Sequence, residues 1–332
     1  MVLAAGVAMV EPVKLTTREE QARRLSEAMR RQLGEFCGLL DEPDVVEISL
    51  NPDGRVWVDR LGQPMRPVGS MRSETAESFI GTIASVFRTT VTRENPILEC
   101  ELPLDGSRFE ALIPPVVPAP VFSIRRKASA LFTLAQYEAA GIMTATQRRA
   151  LETAIAERRN ILVTGGTASG KTTLLNALID HIVRVTPDHR LVIIEDLAEL
   201  QCAQPNAVLL HTSDTVDMQR LVRAAMRLRP DRILVGETRG GECLDLLKAW
   251  HSGHPGGLST IHADDARDGL GRLELLLLER TQNPLSKLIA SAINVIVHLT
   301  KTTGSPGRRI QEIVAITGVK DGEYQFQALE TS

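Results

Sequence analysis

The stretch with the clearest chemical potential is glycine-rich, covers residues 165–173 and fits the pattern G-x-x-x-x-G-K-[ST]. Glycines in such a loop let the backbone turn tightly and point its N–H groups at phosphate oxygens. In this pattern Lys171 reaches the β- and γ-phosphates, and the hydroxyl of Thr172 is offered to Mg²⁺. We therefore predict a nucleoside triphosphate site formed by Gly165, Gly166, Thr167, Ala168, Ser169, Gly170, Lys171, Thr172 and Thr173.

The residues on either side of the loop provide the context that the pattern requires. Residues 160–164 form an apolar run of β type, and a helix is predicted over residues 171–185. The positive end of that helix dipole favours an anion at its first turn. A chance glycine-rich turn is the alternative, and the flanking strand and helix argue against it.

Two acidic residues, Glu195 and Asp196, end an apolar run downstream of the loop. In an open parallel sheet, functional groups gather at the carboxyl ends of the strands. Glu195 is therefore a candidate catalytic carboxylate. It is also a candidate ligand of Mg²⁺ together with Thr172, directly or through water. Acids at a strand end are often merely solvated, so that alternative stays open at this point.

A second apolar strand, predicted over residues 233–235, is followed by Glu237. Hydrolysis of a nucleoside triphosphate needs a carboxylate that polarises the attacking water in line with the γ-phosphate. Glu237 is the candidate for this role, and Lys171 is the cation that neutralises the transferred group. Gly236 stands where an aspartate usually precedes such a glutamate, so we expect Mg²⁺ to be held by Thr172 and by water that carboxylates fix.

Histidines flank the glycine-rich turn and the short strand that come next in the chain. A histidine near a strand is more often a packed or surface residue than a catalytic one. The strand before His262 comes directly after the candidate glutamate, and at its end an imidazole can sense the γ-phosphate by hydrogen bonding. We predict this role for His262 and, more weakly, for His254, and we expect His251 to lie on the surface.

The elements that carry these residues alternate between strand and helix from residue 146 onward. Such alternation is typical of βαβ units around a parallel sheet. We therefore predict an α/β domain at residues 146–332, in which the strands after residue 294 are expected to be antiparallel. A stretch without strong periodicity precedes it, and we place a linker at residues 136–145.

The residues before that linker predict a smaller α+β domain at 1–135. A capping box at Thr16 and Thr17 begins a helix that reaches about residue 40. The turn 51–54 separates two short strands and indicates a hairpin. A second helix (73–88) and three more strands (97–102, 108–113 and 121–124) complete the predicted domain.

The composition is that of a globular protein, with 43% hydrophobic and 24% charged residues among 332. A net charge of −3 gives no general attraction to nucleic acid, and 3% aromatic content leaves few platforms for stacking bases. The four cysteines are far apart and form no C-x-x-C pair, which argues against zinc and for reduced thiols in a cytoplasm. We expect no signal peptide and only peripheral membrane association, because the apolar start lacks a basic region and no uncharged run reaches membrane-spanning length.

Taken together, the motifs resemble those of the secretion ATPase superfamily, which drives type II and type IV secretion and pilus motors. Four segments carry the resemblance: the loop, the acidic pair 195–196, the strand region 231–237 and the histidine turn 253–262. The wording RPDRILVGETRGGE, followed by DLLKAWHSGHPGGLSTIHA, is most similar to the TrbB-type conjugal transfer ATPases of type IV secretion. A glycine before the glutamate is itself common in that family.

This resemblance implies a PAS-like N-terminal domain, a RecA-like P-loop NTPase C-terminal domain and ATP bound between them. It also implies a homohexameric ring at the cytoplasmic face of the inner membrane, working with inner-membrane components of type IV secretion. By the same resemblance, Arg108, Arg125 and Arg126 are expected to face the nucleotide. On residue type alone, basic residues on hairpins are usually just solvated.

We therefore expect an ATP-hydrolysing motor that powers pilus assembly, substrate transfer or both in conjugation. The alternative is a RecA-like hexameric DNA translocase or helicase. The weak acidic charge and the scarce aromatic residues count against it, and no stable sequence-specific nucleic-acid binding is expected. A GTP switch is disfavoured because no guanine-reading N-K-x-D motif occurs. A scaffold that uses nucleotide only to hold its shape is disfavoured by Glu237 and the histidine turn.

Overall fold

The computed structural model describes residues 17–60, 62–126, 131–213, 215–281, 283 and 285–329. The chain forms two compact units, Met1–Arg126 and Lys127–Ser332. Each unit is built on one sheet, and the residues with predicted chemical roles are divided between the two.

The first unit packs helices against an antiparallel sheet with the strand order β3-β2-β1-β6-β5-β4. Its helices and strands are α1 (Thr17–Leu33), β1 (Val45–Leu50), β2 (Arg55–Arg60), β3 (Arg66–Ser70), α2 (Ser73–Val86), β4 (Ile97–Glu101), β5 (Arg108–Leu112) and β6 (Val121–Arg125). The ring of Phe79 on α2 contacts Phe109 and Phe122 of the sheet, so the core lies between this helix and the buried sheet face. The predicted α+β character is confirmed.

Two features of this unit differ from the prediction. The first helix is α-helical only as far as Leu33, because Gly34 adopts a left-handed φ of +58° and the chain continues as a 3₁₀-helix, Gly34–Leu40. The sequence pattern does not predict β3, since that strand contains Pro67 and Gly69 and is exposed along its whole length. Thr16 of the predicted capping box lies outside the described residues.

The second unit contains a mixed sheet with the strand order β14-β13-β12-β7-β11-β10-β8-β9. The six strands from β12 to β9 in that order are parallel, and β13 and β14 are antiparallel at one edge. The helices and strands are α3 (Leu134–Ala139), α4 (Ala145–Ala156), β7 (Ile161–Gly165), α5 (Lys171–Val185), β8 (Leu191–Glu195), β9 (Ala207–His211), α6 (Met218–Ala225), β10 (Arg232–Val235), α7 (Glu242–His251), β11 (Leu258–His262), α8 (Ala266–Leu278), α9 (Ser286–Ala292), β12 (Val295–Lys301), β13 (Arg308–Lys320) and β14 (Glu323–Ala328). The predicted α/β class with alternating βαβ units is confirmed.

The central strands bring the candidate site residues to one edge of this sheet. β7, β8 and β10 are buried at every position, which is typical of a parallel sheet covered on both faces by helices. Because neighbouring strands run in the same direction, the ends of β7, β8, β10 and β11 meet at the carboxyl edge. The glycine-rich loop follows β7, and Glu237 lies just after β10. Glu195 and His262 are the last residues of β8 and β11.

The residues predicted as a linker, 136–145, are part of the second unit. They include most of α3 and the start of α4, and Tyr137 and Met143 are buried in the core beneath the sheet. Capping boxes begin both helices, each with a threonine bonded to the backbone of a glutamine three residues later. The boundary between units therefore lies upstream of the predicted one, at Arg126 and Lys127.

The last third of the chain contains elements that its pattern did not indicate. β12 pairs antiparallel with β13, and β13 with β14, as predicted, whereas β12 joins the central sheet by running parallel to β7. α8 was not predicted because glycines interrupt its pattern. One of them, Gly269, lies so close to β7 that a methyl group there would be 2.6 Å from Cγ2 of Thr164. Within the described ranges, no helix has the length and apolar character needed to cross a membrane.

Candidate nucleotide-hydrolysis site

The loop between β7 and α5 is shaped by glycines that contact other atoms closely. A methyl group on Gly165 would overlap the carbonyl oxygen of Leu299 and lie 2.6 Å from Oγ of Ser169. Gly170 is the N-cap of α5 and has a φ of +99°, a left-handed conformation that L side chains rarely adopt. Ala168 is also left-handed, with a φ of +55°. The loop therefore has the compact, strained backbone that turns N–H groups toward an anion.

Lys171 begins α5, and its side chain folds back over the loop. The residue is only 7% exposed. Its ammonium group donates hydrogen bonds to the carbonyl oxygens of Gly165, at 2.8 Å, and Gly166, at 2.9 Å. These oxygens carry only partial charges, so phosphate oxygens with full charge are stronger partners for the same cation. The loop thus holds its lysine in a position that suits a phosphate ligand.

His262 connects this lysine with the candidate catalytic glutamate. It is the last residue of β11 and pairs with Gly165 across the sheet. Nδ1 of His262 lies 3.2 Å from Nζ of Lys171, and Nε2 lies 3.0 Å from Oε1 of Glu237. A lysine ammonium only donates hydrogen bonds, so Nδ1 is the acceptor and Nε2 carries the proton that faces the carboxylate. The structure thus brings together three of the residues with predicted catalytic roles.

Glu237 follows β10 and is also in contact with a neighbouring arginine. Arg239 forms an ion pair with Oε2 of Glu237, and its other terminal nitrogen lies 3.7 Å from Asp196. This ion pair raises the pKa of Arg239. The guanidinium therefore joins the acidic residues after β8 and β10, a contact that sequence reasoning missed although Arg239 stands within the quoted motif.

The loop that carries Glu237 is fixed by hydrogen bonds on both sides. The hydroxyl of Thr238 lies 2.9 Å from that of Ser259, and the hydroxyl of Thr260 donates to the carbonyl of Gly236. On the other side, the carboxylate of Glu242 accepts hydrogen bonds from the backbone N–H groups of residues 239 and 240. These contacts leave Glu237 on a rigid loop, as a positioned catalytic group requires.

The carboxylate of Glu195 is held by nearby backbone N–H groups and by a histidine ring. It is 3% exposed, and its Oε2 accepts hydrogen bonds of 2.9 Å from the backbone N–H groups of Glu199 and Leu200. Its Oε1 lies 3.3 Å from Nε2 of His211. Burial raises the pKa of this carboxyl, while the two backbone hydrogen bonds and His211 act in the opposite direction. Its catalytic and metal-binding roles stay predictions, and its described contacts are structural.

The glycine before Glu237 has a steric explanation. A methyl group on Gly236 would lie 3.2 Å from Cβ of Glu195. This distance is tighter than ordinary van der Waals contact, so an aspartate at this position would push against Glu195. Packing against Glu195 therefore explains why a glycine, and not an aspartate, stands at residue 236.

The residues present suit Mg²⁺ bound mainly through phosphate. Thr172 lies in the first turn of α5, as predicted for the metal-binding hydroxyl. In the part of the chain that is described, no group of three or more histidine, cysteine, aspartate or glutamate side chains is arranged to hold a metal. Mg²⁺ usually keeps several waters and is bound by one or two protein groups and substrate phosphates, so a dedicated cage is not required.

The other candidate histidines lie away from this site. The turn with His254 precedes β11, so it lies at the amino edge of the sheet, opposite the loop. The backbone N–H and the ring of His254 both contact the carbonyl oxygen of Ala249 near the end of α7. The weaker prediction for His254 is therefore wrong, because the turn packs a helix end. His251 is exposed, as expected.

The three arginines of the first unit do not behave alike. Arg108 and Arg125 are directly opposite each other on β5 and β6. Arg126 follows β6, and its guanidinium donates to the carbonyl oxygen of Glu42. Two of the three thus form a basic pair on one sheet, and the third is tied to its own unit. Contact of these arginines with nucleotide stays a prediction.

Comparison with known proteins identifies the family. Residues 45–327 match the family described as type II/IV secretion system protein. The chain is 49% identical over 315 residues to the probable conjugal transfer protein TrbB of Sinorhizobium fredii, covering 95% of both chains. It is 32% identical to the type IV secretion system protein PtlH of Bordetella pertussis, covering 81% of this chain and 89% of that one.

Solved structures show the same fold at lower identity. The pilus retraction motor PilT, crystallised with bound ADP, aligns with a TM-score of 0.62 and 20% identity over 89% of this chain and 82% of that one. The Legionella pneumophila ATPase DotB aligns with a TM-score of 0.60 and 17% identity over 93% of this chain and 82% of that one. The resemblance drawn from the motifs is confirmed: this chain belongs to the type II/IV secretion system protein family.

Proposed function

We propose that this chain is an ATPase motor of conjugative type IV secretion, which hydrolyses ATP to drive pilus assembly, substrate transfer or both. Its sequence supports the biological part of the proposal, since the similarity to conjugal transfer proteins named TrbB extends over 95% of the chain. The chemical part is supported by the arrangement at the carboxyl edge of the second sheet.

The observation that carries the chemical proposal is the line of contacts from Lys171 through His262 to Glu237. In the proposed mechanism, Lys171 exchanges its two carbonyl partners for oxygens of the β- and γ-phosphates and neutralises the charge that develops there. Glu237 accepts a hydrogen bond from the attacking water and polarises it. His262 lies between the two and reads the γ-phosphate through its ring.

The metal ion has a limited place in this proposal. Mg²⁺ supplies charge neutralisation at the phosphates when it is bound. Thr172 would hold it through the hydroxyl, and Glu195 would act through water rather than directly, since one of its oxygens already accepts two backbone hydrogen bonds. The proton of the attacking water is drawn toward the carboxylate of Glu237.

We further propose that the chain works as a homohexameric ring at the cytoplasmic face of the inner membrane, together with inner-membrane components of type IV secretion. A glutamate at a strand end leaves one side of the γ-phosphate open to water, which weakens electrostatic interactions there. Arg108, Arg125 and Arg126 would close that side. Arginine fingers contribute on the order of 10³–10⁵ in rate in other phosphate-loop enzymes.

A transfer assay tests the biological role. A conjugative donor that lacks this protein is complemented with the wild type, Lys171→Ala or Glu237→Gln, and both transfer frequency and pilus number are counted at matched protein levels. We expect the wild type to restore transfer and both variants to fail, because each lacks a group needed for turnover. Full transfer with both variants would show that hydrolysis at this site does not drive the process.

A mixing experiment tests the ring. Arg108→Ala subunits are combined with Lys171→Ala subunits, and ATP turnover is compared with that of either variant alone. If a site is shared between subunits, the mixture regains activity that neither variant has. A wild-type monomer that is fully active when dilute, together with no regain in the mixture, would contradict the ring. If the ring is intact and the mixture regains no ATP turnover, the arginine acts in the site of its own subunit.

A further inference from the structure

The hairpin of β12 and β13 brings an arginine onto the phosphate loop. Lys301 and Arg308 pair next to the turn of this hairpin, and Arg308 is the first residue of β13. A methyl group built on Gly170 would lie 3.3 Å from both Cδ and Cζ of Arg308 and would overlap Nη1. The guanidinium therefore lies directly against the backbone of the residue that caps α5.

This guanidinium has no acidic partner among the residues that the structure describes. No carboxylate there forms an ion pair or a hydrogen bond with Arg308, which is half-buried. The buried phenol of Tyr137 lies near enough for the charge of Arg308 to lower its pKa, although burial raises that pKa more strongly. A neutral phenol leaves the positive charge uncompensated, and an arginine stays protonated at any physiological pH.

A polar group within the loop itself also has no hydrogen-bond partner among the described residues. The hydroxyl of Ser169 is buried, since the residue is only 1% exposed, and it makes no hydrogen bond within the described part of the chain. Buried polar groups are nearly always hydrogen-bonded, so an unpaired hydroxyl points to a missing acceptor or donor. The unpaired hydroxyl of Ser169 and the unneutralised guanidinium of Arg308, which lies against the next loop residue, Gly170, point to the same ligand chemistry, namely phosphate.

The strand order separates Arg308 from the residues assigned to the γ-phosphate. β13 and β12 lie on one side of β7, whereas β11 and β10, which carry His262 and Glu237, lie on the other side. Lys171 and His262 are in contact, so the γ-phosphate end of the site is the β11 side. Arg308 approaches the loop from the opposite side, where the part of the nucleotide common to ATP and ADP would lie.

We propose that Arg308 is a nucleotide-binding residue that contacts the phosphates shared by ATP and ADP, from the same subunit that supplies the loop. The inference rests on the proposed function, because it needs a nucleotide in that loop. A glycine at residue 170 allows both the left-handed backbone and the close approach of Arg308, since any side chain at this position would displace the guanidinium.

This role predicts a signature in which binding changes and the chemical step does not. Removing the charge of Arg308 weakens the binding of ATP and the binding of ADP by the same factor, roughly 10-fold or more for a lost charge-assisted hydrogen bond. The turnover number at saturating ATP stays within about two-fold, because the interaction is the same in the ground state and in the transition state. A residue at the γ-phosphate would instead alter turnover and leave ADP unaffected.

The test measures the affinities of ADP and of a non-hydrolysable ATP analogue for the wild type, Arg308→Gln and Arg308→Lys by calorimetry. Glutamine keeps much of the stem and removes the charge, whereas lysine keeps the charge. The control is Arg309→Gln, which removes the same charge from the next residue of β13, an exposed one. Thermal melting of each variant without nucleotide reports separately on folding.

We expect Arg308→Gln to lose affinity for both nucleotides equally, Arg308→Lys to recover part of it, and Arg309→Gln to match the wild type. Unchanged affinity in Arg308→Gln, or the same loss in Arg309→Gln, would overturn the inference. A lower melting temperature in Arg308→Gln with normal ADP affinity would overturn it too, because the role would then be structural. Lys171→Ala, measured alongside, tests whether nucleotide binds in the loop at all. A wild type that binds no nucleotide would refute the proposed function itself, and not only the role of Arg308.

Discussion

The ring of His262 lies between Lys171 and Glu237, since its Nδ1 is 3.2 Å from Nζ of the lysine and its Nε2 is 3.0 Å from Oε1 of the glutamate. Three neighbouring elements, α5, β11 and the loop after β10, thus each supply one group. We therefore expect a phosphate bound at Lys171 to alter the surroundings of His262 and, through it, those of Glu237.

We predict that Lys171→Ala lowers ATP turnover by about 100-fold or more, because it removes the preorganised cation at the transferred group. A malachite-green assay of released phosphate measures the effect. Lys248→Ala, which removes an exposed lysine of α7, is the matched control and should keep wild-type turnover. Wild-type turnover in Lys171→Ala would refute the assignment of the loop.

His262→Ala is expected to lower the turnover number about 10-fold while ADP affinity stays within a few-fold. This expectation follows from the proposed contact of the ring with the γ-phosphate, because ADP has no group at that position. The matched control is His254→Ala, which removes an imidazole from the opposite edge of the same sheet and should leave turnover unchanged. An equal loss of ADP affinity in His262→Ala would make this histidine a general binding or packing residue.

Glu195→Gln is expected to change the pH dependence of stability. Burial raises the pKa of this carboxyl in the folded state, so the folded protein binds the proton more tightly than the unfolded chain. Stability from this group is therefore full below its unfolded pKa, near 4.5, and is lost as pH rises through the higher folded value. A neutral glutamine removes this loss.

Melting curves of the two proteins across pH check this expectation. The melting temperature of Glu195→Gln minus that of the wild type should be larger at pH 8 than at pH 5. A difference that stays constant across that range would show that Glu195 does not titrate with a raised pKa.

Arg232→Met is expected to destabilise the second unit by about 2–4 kcal/mol. The guanidinium of Arg232 is fully buried and donates to the carbonyl oxygens of Ile155 and Gly256, at 3.0 and 3.1 Å, and to Nδ1 of His189. Methionine fills similar space but leaves those acceptors unpaired. Urea unfolding measures the loss, and Arg227→Met, at an exposed position, should change stability by less than about 0.5 kcal/mol. Equal stability of both variants would show that these hydrogen bonds contribute little.

The central strands of the second unit were predictable because they are continuous apolar runs between motif residues. α5 spans the predicted residues, and β8 ends at Glu195, where the acidic pair closes the apolar run. β3 and α8 were not, since an exposed strand and a helix with internal glycines carry no periodic signal. For α3 the sequence does carry a signal, the T-x-x-Q capping box at Thr133, whereas α4, expected from residue 146, begins at Ala145.

The sequence predicts which residues meet at the carboxyl edge of the second sheet but not the contacts among them. The motif spacing indicates Lys171, Glu237 and His262, because parallel strands bring their carboxyl ends together. The ion pair of Arg239 with Glu237 and the approach of Arg308 to Gly170 depend on side chains that meet across loops and strands far apart in sequence. Such contacts follow from strand order, which local pattern does not specify.

The most direct test of the account compares two glutamates in one assay. ATP turnover and ATP binding are measured for Glu237→Gln and Glu195→Gln, each of which keeps the shape of the acid and removes its ability to polarise water. We predict that Glu237→Gln binds ATP like the wild type and loses turnover by about 100-fold or more, whereas Glu195→Gln retains the larger part of its activity. Normal turnover in Glu237→Gln, with turnover lost in Glu195→Gln, would contradict the assignment of Glu237 as the catalytic carboxylate.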